Sequence, residues 1–312
     1  MTQPSSPSAI DARKPGLRLV LLGSSVERSL SPSIHEAAIS ALGLSHSYTA
    51  INVPTAMALQ DFVAEIRRGS LDGANVTMPY KRAVLELADV VAPRAAAVGA
   101  ANVLYRDAAR RVVADNTDAE ALARALGELG VAERRSRAVI IGAGGASLAA
   151  IEACKQLGYA QIGVTSRSWH SMDALDASTS AERARRHGAR PAPWPSVGAA
   201  PSLRRAWDEL TEGAELVLQA TSAGMSGQDS GDEVADVAAF GRVASDAIAY
   251  DLVYRPCVTP FVAGARAAGL RSESGLGMLV HQAALSLELW TGRTAPRSVM
   301  RRAALVELRG AC

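Results

Sequence analysis

Lysine is nearly missing from this chain. Among 312 residues there are 33 lysines plus arginines, and only Lys14, Lys81 and Lys155 are lysines. Arginine does not readily give up its proton, so a lysine retained inside a motif calls for a chemical explanation. Cysteine is scarce too. Cys154, Cys257 and Cys312 are odd in number, far apart and without metal-ligand spacing, and a reduced, cytoplasmic protein is the simplest reading. The five histidines form no metal-binding pattern and HExxH is absent, so no metal is expected. The absence of a Gly-x-Ser-x-Gly elbow leaves hydrolase chemistry without support. No apolar run reaches membrane-spanning length. Residues 1–16, rich in Ser, Pro and Ala without an apolar centre, read as a loose tail. The net charge is only +2 and the basic residues are scattered, which points away from nucleic-acid and membrane partners. What remains is ordinary globular composition, 48% apolar and 21% charged, in a length suited to one large or two ordinary domains.

The most informative stretch is AVIIGAGGASL, residues 138–148. Four apolar residues read as a short buried strand. Gly142, Gly144 and Gly145 follow, and then Leu148, Ile151, Cys154 and Leu157 recur at helical spacing. Strand, glycine turn and helix start together form a dinucleotide-binding turn, in which backbone N–H groups approach a pyrophosphate at the helix N-terminus. By itself such a turn is also compatible with a ligand-free strand-to-helix connection.

Upstream, Leu17–Leu22 reads as a strand. A helix follows near Pro32, with Ser33 and Glu36 at capping-box spacing and Gly43 closing it. Ser29 and Ser31 stand just before that start, as paired hydroxyls suited to a polyol, although Ser31 could simply begin the helix. Ser47–Val53 alternates like a strand, and Met57–Arg67 is helical. In NVTMPYK, residues 75–81, Pro79 suits a first helical turn, which places Lys81 at or near the positive end of a helix over Ala83–Ala88. A cation there is destabilised by the macrodipole and its pKa is expected to fall; a solvated surface lysine is the plain alternative. Asn102–Arg106 and Arg111–Asp115 read as a hairpin, and centring it between Ala108 and Ala109 sets Asn102 opposite Asp115. In the next residues Thr117 and Glu120 have capping-box spacing for a helix over Ala119–Leu129, a sufficient structural job for Thr117 and Asp118 that Asp115 lacks.

Ile162–Thr165 is the second strand of the nucleotide half and ends in Ser166-Arg167-Ser168. The acidic residue that would bind a ribose 2′-OH is missing there, and Arg167 could meet a 2′-phosphate. Residues 169–210 are the least legible, with a Pro-Trp-Pro at 193–195 that argues against one continuous helix. Strands resume over Glu215–Gln219 and Ala247–Asp251. Two helical stretches close the pattern, and in the second Met278, Gln282, Leu285 and Leu289 share a face. Gln282 there reads either as a ligand contact or as a buried structural amide.

In order, SLSPSIH, DGANVTMPYK, GAANV, DNTD, GAGGAS, ATSAG, YDLVYRPCVTPF and GLGMLVHQA make the chain resemble the shikimate/quinate 5-dehydrogenase family from about Leu19 to Trp290. The resemblance implies two α/β domains with a cleft between them. Residues 1–118 would bind substrate, with 275–312 returning to them, and residues 119–274 would form a Rossmann-type domain for NADP, with NAD as the alternative. It implies Lys81 and Asp115 as the catalytic pair. A cyclohexene carboxylate would be held by Ser29, Ser31, Thr77, Asn102, Tyr254 and Gln282. Cofactor contacts are expected from Gly142, Ala143, Gly144, Gly145 and Ala146, from Ser166, Arg167 and Ser168, from Thr221 and from Gly275. A homodimer is a further expectation. The proton relay makes chemical sense beside a cofactor that carries hydride. Several residues depart from the family's usual pattern: Leu30 for Lys, Ala119 for Gly, Gln219 for Asn, Leu148 and Ser171 for Arg, and GAANV for GAVNT. They leave a quinate or amino-analogue dehydrogenase using NAD, or a non-catalytic sensor of nucleotide or cyclitol, as alternatives to an NADP-dependent shikimate dehydrogenase. The resemblance implies shikimate rather than quinate as substrate, from the serine at position 31.

Overall fold

The computed structural model describes residues 16–131, 135–196 and 198–309. The tail reading thus falls, apart from Gly16, outside the described residues, as does Cys312. The chain divides into two compact α/β units, with borders between Thr117 and Asp118, between Leu279 and Val280 and between Glu307 and Leu308.

The first unit contains β1 (Arg18–Gly23), α1 (Ser31–Ala41), β2 (Ser47–Asn52), α2 (Ala56–Arg68), β3 (Gly73–Val76), α3 (Val84–Leu87), β4 (Val90–Val91), α4 (Pro93–Val98), β5 (Val103–Arg106) and β6 (Val112–Asp115). Its six strands run in the order β2-β1-β3-β5-β6-β4. Strand β1 is parallel to β2 and β3, and β5 is antiparallel to both β3 and β6. Helix α2 shows how local sequence builds this unit. The Thr55 side chain accepts from the Ala58 N–H at 3.2 Å, Gly69 closes the helix in the left-handed region, and Leu59, Val63 and Ile66 bury one stripe. That stripe joins Val20, Leu22, Ala74, Val76 and Leu104 in a single core.

The second unit contains α5 (Asp118–Glu128), β7 (Arg137–Ile141), α6 (Gly145–Gln156), β8 (Gln161–Thr165), α7 (Met172–Asp176), α8 (Thr179–Arg186), β9 (Arg190–Ala192), α9 (Pro201–Thr211), β10 (Leu216–Gln219), α10 (Asp232–Val237), β11 (Ile248–Asp251), α11 (Pro260–Ala267) and β12 (Arg271–Glu273). The six strands are all parallel, in the order β9-β8-β7-β10-β11-β12. Counted from β7 this is the 3-2-1-4-5-6 order of doubly wound dinucleotide-binding sheets. The illegible stretch resolves into α7, α8, β9 and α9, with Pro-Trp-Pro passing from β9 as an irregular strap. Helix α12 (Leu276–Thr291) spans the second border, and α13 (Arg297–Leu308) follows.

Several local expectations need correction. Leu30, not Ser33, occupies the N-cap of α1, and no side chain caps that helix. The Ser33 hydroxyl donates instead to Glu307 at 3.2 Å. Lys81 does not stand at a helix start. Residues 78–83 form turns after a cis Met78–Pro79 bond, and the four-residue α3 begins only at Val84. The hairpin register is also displaced by one residue, so that Val103, not Asn102, faces Asp115. The cause is Arg110, which adopts φ +65° after the turn closed by its N–H to the Asp107 carbonyl. That is a three-residue loop with the left-handed position filled by a residue other than glycine. A one-residue slip turns side chains to opposite faces, and it removes the predicted convergence of Asn102 on Asp115.

Gly142 is where the glycine turn is sterically enforced. Its φ is +121°, and an added Cβ would lie 2.9 Å from Thr221 and 3.0 Å from the Ala220 backbone. A Gly142→Ala substitution is therefore expected to destabilise the protein by about 2–3 kcal/mol. Urea unfolding checks this, and an unchanged midpoint would contradict it.

Candidate functional site

Strands β1, β3 and β6 share one direction, so their C-terminal ends lie on the same edge of the first sheet as the start of β5. That edge carries the polar residues singled out in the sequence. The loop after β1 brings Ser29 and Ser31, the turn after β3 brings Thr77 and Lys81, the entry to β5 brings Asn102, and the exit of β6 brings Asp115. Backbone bonds tie these segments together. The Ser24 N–H donates to the Met78 carbonyl at 3.1 Å, and the Ala101 N–H donates to the Lys81 carbonyl at 2.7 Å. Parallel strands present binding residues at their C-terminal ends for this reason: the connecting loops there are free to vary.

Ser29 and Ser31 are coupled, since the Ser31 N–H donates to the Ser29 hydroxyl at 3.2 Å. Leu30 between them is buried, at 2% exposure, and so fills the core. Thr77 and Lys81 are half-buried. Asn102 forms a tight polar group with Thr117: its Oδ1 accepts the Thr117 N–H at 2.8 Å and its Nδ2 donates to the Thr117 hydroxyl at 2.9 Å. Its Nδ2 also lies 3.5 Å from Gln282 Oε1. Thr117 therefore does more than open α5.

Asp115 is held differently from the expectation. Arg94 of α4 donates from Nη2 to Oδ2 at 2.6 Å and from Nε to Oδ1 at 3.1 Å, and the Asn116 N–H donates to Oδ1 at 2.7 Å. A bidentate arginine and a backbone donor together satisfy a buried carboxylate. Asp118, three residues on, is also buried and is the first residue of α5.

The sequence reading missed the buried polar layer behind this edge. The Tyr48 hydroxyl donates to Asn75 Oδ1 at 2.8 Å. Asn75 Nδ2 in turn donates to the Asn102 carbonyl at 3.1 Å and to the Ser286 hydroxyl at 2.9 Å. His35 stacks on Tyr48 with ring centroids 4.1 Å apart, and no hydrogen bond of normal geometry reaches either of its ring nitrogens. Burial pushes the imidazole down to about 3, against a smaller opposing pull from Asn75. The available signal was Asn75 inside GANVT, a polar residue in the middle of an apolar strand.

In the second unit, Gly142 donates its N–H to the Thr165 carbonyl at 2.8 Å, and Gly144 caps α6 with no side-chain partner. A Cβ added at Gly144 or Gly145 would meet nothing within 4 Å. Ala143 and Ala146 flank these positions. The result is an open approach to the N-terminus of a 12-residue helix, where backbone donors and the dipole favour a pyrophosphate. Leu148 belongs to the core. Ser166, Arg167 and Ser168 follow β8, with the two hydroxyls 3.2 Å apart and Arg167 Nη1 2.7 Å from Asp229. Ser171 caps α7 by accepting from the Ala174 N–H.

Thr221 accepts from the Ala223 N–H at 3.1 Å, and the buried Gln219 donates to the Ala223 carbonyl at 2.9 Å. Gln219 thus fixes the loop after β10. Tyr254 lies half-buried in the loop after β11. Gly275 donates to the Val253 carbonyl at 3.0 Å in that same loop, and a Cβ there would lie 2.2 Å from the Leu252 carbonyl oxygen. Asp251 supports the loop by accepting from the Val253 N–H at 2.8 Å and the Thr259 hydroxyl at 2.5 Å. Burial outweighs these bonds and raises its carboxyl to about 7. Among the described residues no group of His, Cys, Asp and Glu could hold a metal ion.

The family model for the shikimate dehydrogenase substrate-binding domain matches residues 21–104, and that for the shikimate 5′-dehydrogenase C-terminal domain matches residues 275–305. The shikimate dehydrogenase (NADP(+)) of Symbiobacterium thermophilum is 37% identical over 96% of this chain and 97% of its own length. The crystal structure of shikimate 5-dehydrogenase from Thermus thermophilus in complex with NADP(H) and shikimate is 33% identical. It superimposes with a TM-score of 0.75, covering 94% of this chain and all of that one. Quinate dehydrogenase from Corynebacterium glutamicum in complex with NAD is 27% identical, with a TM-score of 0.75 over 93% of this chain and 99% of that one.

The geometry can be checked at two glycine- and burial-dependent points. His35 is held neutral by burial, with a folded pKa below the unfolded value, so stability linked to it is lost as pH falls from about 6.5 toward 3. Between pH 7 and pH 5 wild type is expected to lose about 1–2 kcal/mol more than a His35→Phe variant, measured by urea unfolding at both pH values. Equal losses would contradict the assignment. Gly144→Ala is expected to change stability by less than about 1 kcal/mol and yet to weaken binding of a reduced nicotinamide dinucleotide by tenfold or more. Fluorescence titration reads the second effect, and undiminished affinity would remove Gly144 from the cofactor path.

Proposed function

The chain belongs to the shikimate dehydrogenase family, and from that membership we propose that it interconverts 3-dehydroshikimate and shikimate with NADP. The observation that carries the reading is the single sheet edge bearing Ser29, Ser31, Thr77, Lys81 and Asn102, with Gln282 beside Asn102. Hydroxyls, amides and one cation there match the ring hydroxyls and carboxylate of a cyclohexene acid. Both the Symbiobacterium and the Thermus relatives are named for shikimate, and they are more similar to this chain than the quinate dehydrogenase is. The location expected for the enzyme is the cytoplasm, and its expected assembly is a homodimer.

When bound, the nicotinamide accepts or supplies hydride at C4. This chain's part is to hold the substrate and to move the proton that hydride transfer leaves on, or requires at, the carbinol oxygen. Lys81 is the proton carrier. Its main chain is fixed on that polar edge by the Ala101 N–H, at 2.7 Å from the Lys81 carbonyl. Asp115, at the exit of β6 on the same edge, is the carboxylate partner. Arg94 and the Asn116 N–H orient it, and a carboxylate, with about four acceptor positions, keeps capacity for a further partner.

Purified protein is expected to produce reduced-nicotinamide absorbance from shikimate and NADP+, with a higher kcat/KM for shikimate than for quinate. A higher value for quinate would overturn the substrate assignment. Lys81→Ala and Asp115→Asn should each lower turnover by about 10²–10⁴-fold in folded protein. Near-normal turnover in either variant would remove that residue from the relay.

A further inference from the structure

We propose that Asp229 is an internal competitor for Arg167, and that it lowers this chain's preference for a 2′-phosphorylated cofactor. The inference rests on the reading that Arg167 meets the 2′-phosphate. Strand β8 lies beside β7, whose C-terminal end carries the glycine turn, and the Gly142 N–H to the Thr165 carbonyl joins the two strand ends at 2.8 Å. Arg167 stands two residues beyond Thr165. In a sheet of this order the adenosine ribose lies beyond the end of that second strand.

Arg167 already has an anion there. Its Nη1 donates to Asp229 Oδ2 at 2.7 Å, with both side chains about half exposed, at 48% and 43%. Asp229 comes from the loop after β10, and that loop is tied to itself. The Gly224 N–H donates to the Asp229 carbonyl at 2.9 Å, and the Gln228 N–H donates to the Met225 carbonyl at 2.9 Å. Gly231 sits so close to Gly224 that an added Cβ would lie 2.8 Å from its nitrogen. The carboxylate is therefore presented by a built turn.

A carboxylate and a phosphate want the same guanidinium fork. A 2′-phosphate must displace Asp229 or share a cation that Asp229 has already neutralised, with like charges brought together. A ribose 2′-OH makes no such demand. Asp229 thus works against the phosphorylated cofactor while leaving the unphosphorylated one untouched, although it lies on a different loop from the strand-end position where an acidic residue is usually sought.

The test is calorimetric binding of adenosine 2′,5′-bisphosphate and of 5′-AMP at low ionic strength, a readout separate from turnover. Asp229→Asn is expected to raise the affinity ratio of bisphosphate to monophosphate about fivefold, the scale of one well-formed half-exposed ion pair. Added salt should shrink the gain. Arg167→Ala should lower the ratio, and adding Asp229→Asn in that background should leave it unchanged. No rise in Asp229→Asn, or an equal rise with and without Arg167, overturns the proposal while leaving the cofactor reading in place. A ratio unaffected by Arg167→Ala overturns the 2′-phosphate reading of Arg167, and the role of Asp229 with it.

Discussion

The first unit depends on the side-chain amide of Asn75. It sits in the central strand β3, accepts from Tyr48 of β2, and donates to the main chain at the entry to β5 and to Ser286 of α12. A buried amide left short of partners is expensive, and one with its partners in place specifies a single arrangement. Through this one group the strand positions that deliver Thr77, Asn102 and the Ser31 end of α1 are set against each other. Ser286 extends the chain by donating to the Gln282 carbonyl at 2.9 Å. The candidate binding residues thus inherit their geometry from a polar layer that never needs to touch a ligand.

The second unit achieves precision with backbone alone. Gly142 takes a conformation closed to residues with a side chain, Gly144 and Gly145 leave the helix start open, and Gly275 admits the Leu252 carbonyl where a Cβ would stand. Each glycine is used for a different reason: backbone angle, ligand approach, or close packing of two chain segments. The buried carboxyl of Asp251 then ties the Tyr254 loop to the start of α11 through Thr259, which itself caps that helix.

The arginine-rich composition acquires a structural meaning in the pairs it forms. Arg94 holds Asp115, and Arg167 holds Asp229. A planar fork can satisfy two acceptor atoms at once, which a lysine ammonium does less well. In a chain that uses arginine for holding anions, Lys81 on the polar sheet edge is one of only three lysines.

The sequence by itself determined the α/β class, many of the strands and the placement of the glycine turn, because apolar periodicity and glycine both act through local backbone geometry, while residues 169–210 took their four elements only in the fold. It also determined which loops carry the polar residues, since motif and strand end coincide. Tertiary structure alone decided which partners those residues take. The φ of +65° at Arg110 shifted the hairpin by one position, so that Val103 and not Asn102 faces Asp115, with the Asn102 N–H donating to the Asp115 carbonyl at 3.0 Å, and no turn residue of the usual kind announced it. Arg94 lies 21 positions before Asp115, and Asp229 lies 62 after Arg167. Pairings over such separations follow from how strands stack beside one another, a long-range outcome that local propensity and spacing do not encode.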